Sequence, residues 1–487
     1  MKESQPSQMK HELGLLDGTM LVAGSMIGSG IFIVSADITR NVGSAGWLIA
    51  VWLITGFMTL TAALSYGELS GMFPKAGGQY VYLKEAYNKL IGFLYGWSFF
   101  AVIQTGTIAA VGVAFSKFTA YLIPAVSEDQ ILFPHIYRLK LGEQTHGFTI
   151  NAAQLVSIGI ILILTFINTR GVKSGKIIQT TFTLTKLLSL FGLIIFGFFA
   201  LNSGTWHMNW SNAWNLHQLH TDGTFTSYTA AAALGAIAAS MIGSIFSSDS
   251  WNSVTFIAGE MKNPKRDVAL SLFFGTMIVT IIYVAANVMY TSVLPLHDIA
   301  TAEKDRVAVS ASHVIFGNGG TYVIAVMIMI STFGCNNGLI FAGARVYYTM
   351  AKDGLFFKKT GTLNKFAVPE FGLWIQALVA SVLCLSGRYG DLLTMISFVV
   401  VIFYVLTIIG IYKLRITKPE LERPYKAFGY PILPAIYILM GIAFCILLII
   451  YVQPYTWYGL GIVLLGIPIY YIAKRNLKDE DSAVTDN

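Results

Sequence analysis

"GSMIGSGIF", residues Gly24 to Phe32, lies in the middle of the first long apolar run of the chain, and three glycines and two serines fill five of its nine positions. Such a stretch is poor material for a membrane helix. Glycine is about 1 kcal/mol worse than alanine in a helix interior, and serine hydroxyls compete for backbone hydrogen bonds. Hydrocarbon offers no water to the N–H and C=O groups that an interruption frees. Unwound backbone at membrane depth therefore persists only where it lines a cavity or is buried in protein. The stretch predicts a helix broken at its midpoint, with a use for the freed groups.

The surrounding sequence supports a membrane setting. The 487 residues are 55% apolar and 12% charged, with a mean hydropathy of +0.64, whereas a soluble domain carries about twice that charge. Twelve apolar runs of membrane-crossing length lie at about 15–38, 46–70, 90–122, 151–168, 176–202, 229–257, 267–294, 321–350, 370–387, 391–413, 432–452 and 456–474. They predict an all-α integral membrane protein with twelve transmembrane helices. The first run begins too late, and continues too long, for a cleaved signal peptide. Met1 to Leu13 reads as a short polar tail. Cys335, Cys384 and Cys445 all fall inside apolar runs without CxxC spacing, so neither a disulfide framework nor a zinc site is indicated.

The net charge of +7 is a signal of topology. With the N-terminus inside, the alternate loops and both tails hold 24 of the 32 Lys and Arg residues. The opposite side holds 7 (Arg40, Lys117, Arg138, Lys140, Lys304, Arg306 and Arg388), and Lys186 lies within a run. This asymmetry puts both termini in the cytoplasm and gives no reason to expect nucleic acid. The longest polar segments, about 123–150, 203–228 and 295–320, all fall on the outer face. In the last, "DIATAEKDRVAVSASHVIF" has apolar residues at helical spacing and predicts an amphipathic helix lying over the bundle.

The sixth run contains a second interruption, "GSIFSSDSWN", Gly243 to Asn252. Broken spans at corresponding positions of two halves point to a transporter binding site. Gly24 and Gly28 form a GxxxG, which by itself often serves only close helix packing; the matched second break favours binding. Where the second half-helix of span 1 begins, free N–H groups near Ser29 and Gly30 and a positive dipole end suit a carboxylate. Free carbonyls from the preceding turn (Met26, Ile27, Gly28) and from Phe246, Ser247 and Asp249 suit an ammonium. Together they describe a free α-amino acid as ligand.

Four motifs, in order, resemble one family. "GSMIGSGIF" is similar to the first-span signature of the amino acid–polyamine–organocation superfamily. "SDSWNSVTFIAGEMKNPKRDVALSL" (Ser248 to Leu272) resembles a stretch of its L-type amino acid transporter branch. "STFGCNNGLIFAGARVYYTMAKDG" (Ser331 to Gly354) resembles the eighth span, and "PELERPYKAFGYPILP" (Pro419 to Pro434) the loop before span 11. On these grounds the chain is identified as a prokaryotic member of that branch. The resemblance implies a LeuT-type five-plus-five inverted repeat with helices 1 and 6 broken, and alternating access. It divides a single transmembrane domain (1–474) into repeat one at about 15–203, repeat two at about 229–415, and peripheral helices 11 and 12 at about 432–474. A cytoplasmic tail follows at 475–487.

By the same resemblance the substrate carboxylate falls on Ser29 and Gly30, and its ammonium on carbonyls of Met26, Phe246 and Asp249. Phe246 matches an aromatic gate. The second acid of the family's acidic pair is Glu260, but the first is Gly259. Eukaryotic members carry an outer-loop cysteine that bonds an accessory glycoprotein. Residues 123–150 contain none, so no disulfide-linked partner is expected.

Two ionisable residues lie at membrane depth. Lys186, in "TFTLTKLLSL", is about 15 Å of helix beyond Lys176, too deep for easy snorkelling, and such residues are usually functional. In the resembled branch its ammonium replaces the sodium ion of sodium-coupled relatives, tying the span 1 break to span 8 near Ser331 and Gly334. Asp249, in "DSWN", matches "DGWN" of the cystine and dibasic amino acid transporter; it either faces a cationic substrate or caps the second half of span 6. "GVKSGK" (Gly171 to Lys176) falls short of a P-loop, and His217 with His220 lacks a third ligand, so neither cofactor nor metal is expected. No paired catalytic groups, HExxH or GxSxG indicate an enzyme. The expectation is a sodium-independent exchanger of neutral, and with Asp249 also cationic, L-amino acids in the plasma membrane. Proton-coupled symport stays open as an alternative, as does a transporter-like receptor or channel.

Overall fold

The computed structural model describes residues 11–141, 144–386 and 389–485; the side chains at 134–141, 144–149, 172–176, 386 and 475–485 are not part of that description. Expectations about Met1 to Lys10, Arg388 and the last two residues therefore lie outside the described residues, as do those about the Lys173 and Lys176 side chains.

The first apolar run is two helices, α1 (Leu15–Met26) and α2 (Gly30–Val42), bent by 41° about a three-residue break. Gly43, at φ 62°, ends α2 in the left-handed conformation that glycine adopts without strain. Next come α3 (Ala45–Met72), the short α4 (Gln79–Ala86), and α5 (Lys89–Ser98), which runs through one π-helical turn into α6 (Gln104–Leu122). An antiparallel hairpin, β1 (Ile131–Leu141) and β2 (Gln144–Asn151), leads to α7 (Ala152–Thr169). Asn151 and Gln154 form a reciprocal capping box at the start of α7, with both bonds 2.9 Å. Helix α8 (Val172–Phe199) carries Lys186, and α9 (Ser203–Trp210) and a second hairpin, β3 (His217–Leu219) with β4 (Phe225–Ser227), complete the first half. The two hairpins add strand to a chain expected to be wholly helical. Both lie in polar segments, where alternation outside the apolar runs had no period to reveal it.

The second half repeats the interruption with a difference. Helix α10 (Ala230–Ser247) stops at the break, and the chain resumes only as the one-turn α11 (Ser253–Phe256) and a 3-10 turn at Ala258–Glu260. A full second half-helix would need the residues that Pro264 claims as the start of α12 (Pro264–Val293). The predicted amphipathic outer helix is also divided. It comprises α13 (Leu296–Ala300), a turn in which Lys304 and Asp305 have positive φ, and the first ten residues of α14 (Val307–Lys352), which breaks at Gly317 (φ 68°). Then follow α15 (Glu370–Ser386), α16 (Tyr389–Thr417), α17 (Ile432–Tyr451) and α18 (Tyr455–Thr485).

Among the described residues nine helices are long and apolar enough to cross a membrane, ten when α1 and α2 count as one span; 152–168 and 370–385 are shorter apolar helices. The second half of α1, most of α2 and the end of α10 are buried, whereas α17 and α18 are the least buried apolar helices. The interrupted helices are thus the centre of the bundle, walled by the rest.

Candidate functional site

The break in span 1 consists of Ile27, Gly28 and Ser29. Ile27 leaves the helix at φ −75°, ψ 88°, and Gly30 restarts it. The first N–H groups of α2, Gly30 among them, have no acceptor one turn earlier within their own helix. All these residues are buried, with Ile27 at 0% and Ser29 at 1% exposure. The two breaks touch. A Cβ added to Gly30 would stand 1.8 Å from Ser247 Oγ and 2.6 Å from Ser247 Cβ, so only glycine allows α2 to start against the end of α10.

Tyr283 of α12 joins the breaks from the side. Its hydroxyl lies 2.9 Å from both the Met26 and the Ser247 carbonyl oxygens. A hydroxyl has one proton, so it satisfies one carbonyl at a time. The Met26 carbonyl also accepts from the Gly28 N–H at 2.8 Å, so it is the Ser247 carbonyl that is short of a donor when the proton turns to Met26, a place suited to an ammonium.

Lys186 is 1% exposed and donates to the Gly24 and Ile27 carbonyls, both at 2.7 Å. Ser331 Oγ donates to the carbonyls of Ile27 (3.3 Å) and Gly28 (3.4 Å), and Cys335 Sγ to that of Ser25 (3.0 Å). A Cβ at Gly334 would lie 3.6 Å from Lys186 Cε. The expected trio of Lys186, Ser331 and Gly334 thus converges on the far side of the span 1 break. An ammonium there sits in a cluster of carbonyl and hydroxyl oxygens, the donor type a small monovalent cation prefers. Among the described residues no carboxylate pairs with it.

Phe246 is buried against Tyr389, with ring centroids 6.1 Å apart and planes at 80°. Tyr389 shares a 2.9 Å hydrogen bond with Ser29 Oγ. Beyond Tyr389 opens a cavity of about 830 Å3, lined by Ile33, Val34, Arg40, Lys117, Gly243 and Tyr389 among others, on the face opposite the chain ends. On the other face the way is shut. Glu12 and Leu13 N–H groups donate to the Glu260 carbonyl at 3.0 Å, and Lys262 N–H to that of Leu13 at 2.8 Å. The Glu260 carboxylate accepts from Arg345 at 2.7 Å, both side chains wholly buried. Gln79 of α4 bridges Asn252 (2.9 Å) and Thr407 (3.1 Å) beneath the second break.

Asp249 stands apart from the other predicted residues. Its carboxylate accepts from Tyr404 at 2.5 Å and lines two small voids of about 10 and 20 Å3 rather than the large cavity. It does not cap α11, whose first residue follows Asn252 without a side-chain cap bond. His217 and His220 are on and beside β3, and His220 Nε2 is engaged by Thr226. Among the described residues no three His, Cys, Asp or Glu side chains gather as a metal site.

The sequence reading missed Tyr283, Tyr389 and Tyr404, which hold the breaks from neighbouring helices. A signal existed for the first: Tyr283, Asn287 and Tyr290 fall at i, i+4 and i+7, one polar face on an apolar helix. Asn287 accepts from Ser35 at 2.7 Å and Tyr290 reaches the Ile31 carbonyl at 3.4 Å, both on α2.

The chain is 27% identical over 480 residues to the b(0,+)-type amino acid transporter 1 of Mus musculus, covering 96% of this chain and 89% of the relative. It is 28% identical over 466 residues to the large neutral amino acids transporter small subunit 2 of Homo sapiens, covering 95% and 80%. A family model described as amino acid permease matches residues 13–471. The chain therefore belongs to the amino acid permease family, as a multi-pass membrane transporter of amino acids rather than an enzyme.

Proposed function

We propose that this transporter exchanges neutral and cationic L-amino acids across the plasma membrane by alternating access, without sodium. The observation that carries the reading is the Lys186 ammonium, donating at 2.7 Å to two carbonyls of the span 1 break. A fixed positive charge in that oxygen cluster repels a sodium ion and supplies what the ion would supply.

The substrate carboxylate sits on the N–H groups of Ser29 and Gly30. Its ammonium meets the carbonyls of Met26 and Ser247, which share one tyrosine proton, and those of Phe246 and Asp249. Ile27 and Gly28 form the turn between them, Phe246 gates the site, and Lys186, Ser331 and Gly334 couple it to span 8. A long cationic side chain reaches past Phe246 to Asp249. The two short apolar helices also cross the membrane, making twelve spans. These form two inverted repeats of the LeuT type, about 15–203 and 229–415, each opening on a broken span, with α17 and α18 peripheral and both termini cytoplasmic. The lack of a cysteine in 123–150 supports a chain that works without a disulfide-linked partner, as a prokaryotic member would.

Counterflow tests the reading. Proteoliposomes loaded with unlabelled amino acid should accumulate labelled amino acid from outside, equally in sodium and in choline. A several-fold stimulation by sodium refutes the coupling; binding without counterflow points to a receptor instead.

A further inference from the structure

We propose that Tyr389 is the latch that closes the site toward the face opposite the termini, a positioning residue that controls entry from that face alone. The inference rests on reading the two breaks as the substrate site. Tyr389 opens α16, yet its side chain is held by three other elements. Its hydroxyl is on Ser29 at the start of α2, its ring lies edge-on to Phe246 of α10, and the Lys117 ammonium of α6 stands 5.5 Å over its centroid. Tyr389 lines the 830 Å3 cavity, while Ser29 and Phe246 do not. The ring is therefore part of the floor that separates cavity from break.

Lys117 strengthens the assignment. It shares the cavity with Glu128, Asp305 and Asp391, yet among the described residues it forms no ion pair and lies over the aromatic ring. A cation over a ring face holds the ring in place. A solute coming from the cavity must part Tyr389 from Ser29 and from Phe246 before it meets the N–H groups of α2. A solute from the terminal face meets Glu260, Arg345 and Gln79 first and does not pass Tyr389.

Two native cysteines report on either side of this floor. Cys384 lines the cavity. Cys335 lies beneath, where a Cβ at Gly28 would stand 3.0 Å from its sulfur. In chains keeping one cysteine each, an impermeant sulfonate-bearing methanethiosulfonate is applied to right-side-out and to inside-out vesicles. With Tyr389→Phe, labelling of Cys335 from the face opposite the termini should rise several-fold. Its labelling from the terminal face, and that of Cys384, should not change. Equal Cys335 labelling in the parent, Tyr389→Phe and Tyr389→Ala overturns the latch. Exchange kinetics read the same device without a thiol: Tyr389→Phe should raise KM several-fold on the opposite face only, and an equal shift on both faces, or none on either, refutes it. Excess amino acid should slow Cys335 labelling. A latch effect without that protection would count against the substrate site and leave the latch standing.

Discussion

At the scale of single residues the break is controlled by contacts that a side chain would either fill or lose. Gly30 faces Ser247 so closely that a Cβ would overlap its Oγ and Cβ and come within 3.1 Å of its Cα. Gly30→Ala, not only a bulky replacement, should therefore reduce amino acid binding at least tenfold in titration calorimetry. Ser247→Gly in the same chain should recover part of it by removing the colliding atoms; no recovery would place the fault elsewhere. Lys186→Met keeps the length of the side chain but removes the charged donor from the buried Gly24 and Ile27 carbonyls, leaving Ile27 only the longer bond from Ser331. Charge-assisted bonds are each worth about 1.5–3 kcal/mol, and about 1.4 kcal/mol is a factor of ten. Exchange should fall more than tenfold, and a rate within twofold of the parent would remove Lys186 from the mechanism. Asp249 has Tyr404 as its partner. Asp249→Asn should weaken arginine roughly ten- to a hundred-fold in competition assays, on the same magnitude for a charged hydrogen bond, and leave alanine and leucine nearly unchanged. A uniform loss over the three would make Asp249 a brace for Tyr404 only.

Among elements, the contacts that matter join segments far apart in sequence. Glu260, in the 3-10 turn after the second break, and Arg345, on α14, form a fully buried ion pair, and Arg345 also donates to the Phe341 carbonyl. The Glu260 carbonyl in turn holds the strand-like Glu12 and Leu13. Removing one partner strands a buried charge, which costs about 3–5 kcal/mol. Glu260→Ala should lower the melting temperature in detergent by several degrees, and Glu260→Ala/Arg345→Met should regain most of the loss because no charge is left unpaired. If the double variant melts below the single one, the pair is not what joins these elements. Helix α12 acts similarly on the other side of the core, its polar face of Tyr283, Asn287 and Tyr290 gripping α1, α2 and the end of α10.

For the molecule as a whole, the structure has a cavity of about 830 Å3 on one face and closed contacts on the other, as one state of the proposed alternating-access cycle would. With both termini cytoplasmic, as proposed from the excess of Lys and Arg in the loops on that side, the closed face is the cytoplasmic one. Epitope tags at either terminus should be protected from protease in intact cells and cut only after permeabilisation. Cleavage of either tag in intact cells would reverse the orientation.

How much of this was legible in the sequence depends on the range of the interaction. Apolar length, the Lys and Arg asymmetry, and the two small-residue interruptions are local properties; they determined the multi-pass membrane setting and where the two helices break, and the proposed twelve spans and substrate site follow from them. Lys186 was legible because a charge within apolar sequence has few explanations. Its acceptors Gly24 and Ile27, on the first broken helix, were not. Only the tertiary structure decided that Tyr283, Tyr389 and Tyr404 hold the breaks, that Glu260 pairs with Arg345, and that span 6 resumes as a single turn. A tyrosine at the middle of an apolar helix reads as packing until the chain brings a carbonyl or carboxylate to its hydroxyl. Backbone groups freed by an interruption announce that partners are needed, since the bilayer supplies none; which side chains meet that need is set by the packing of helices hundreds of residues apart.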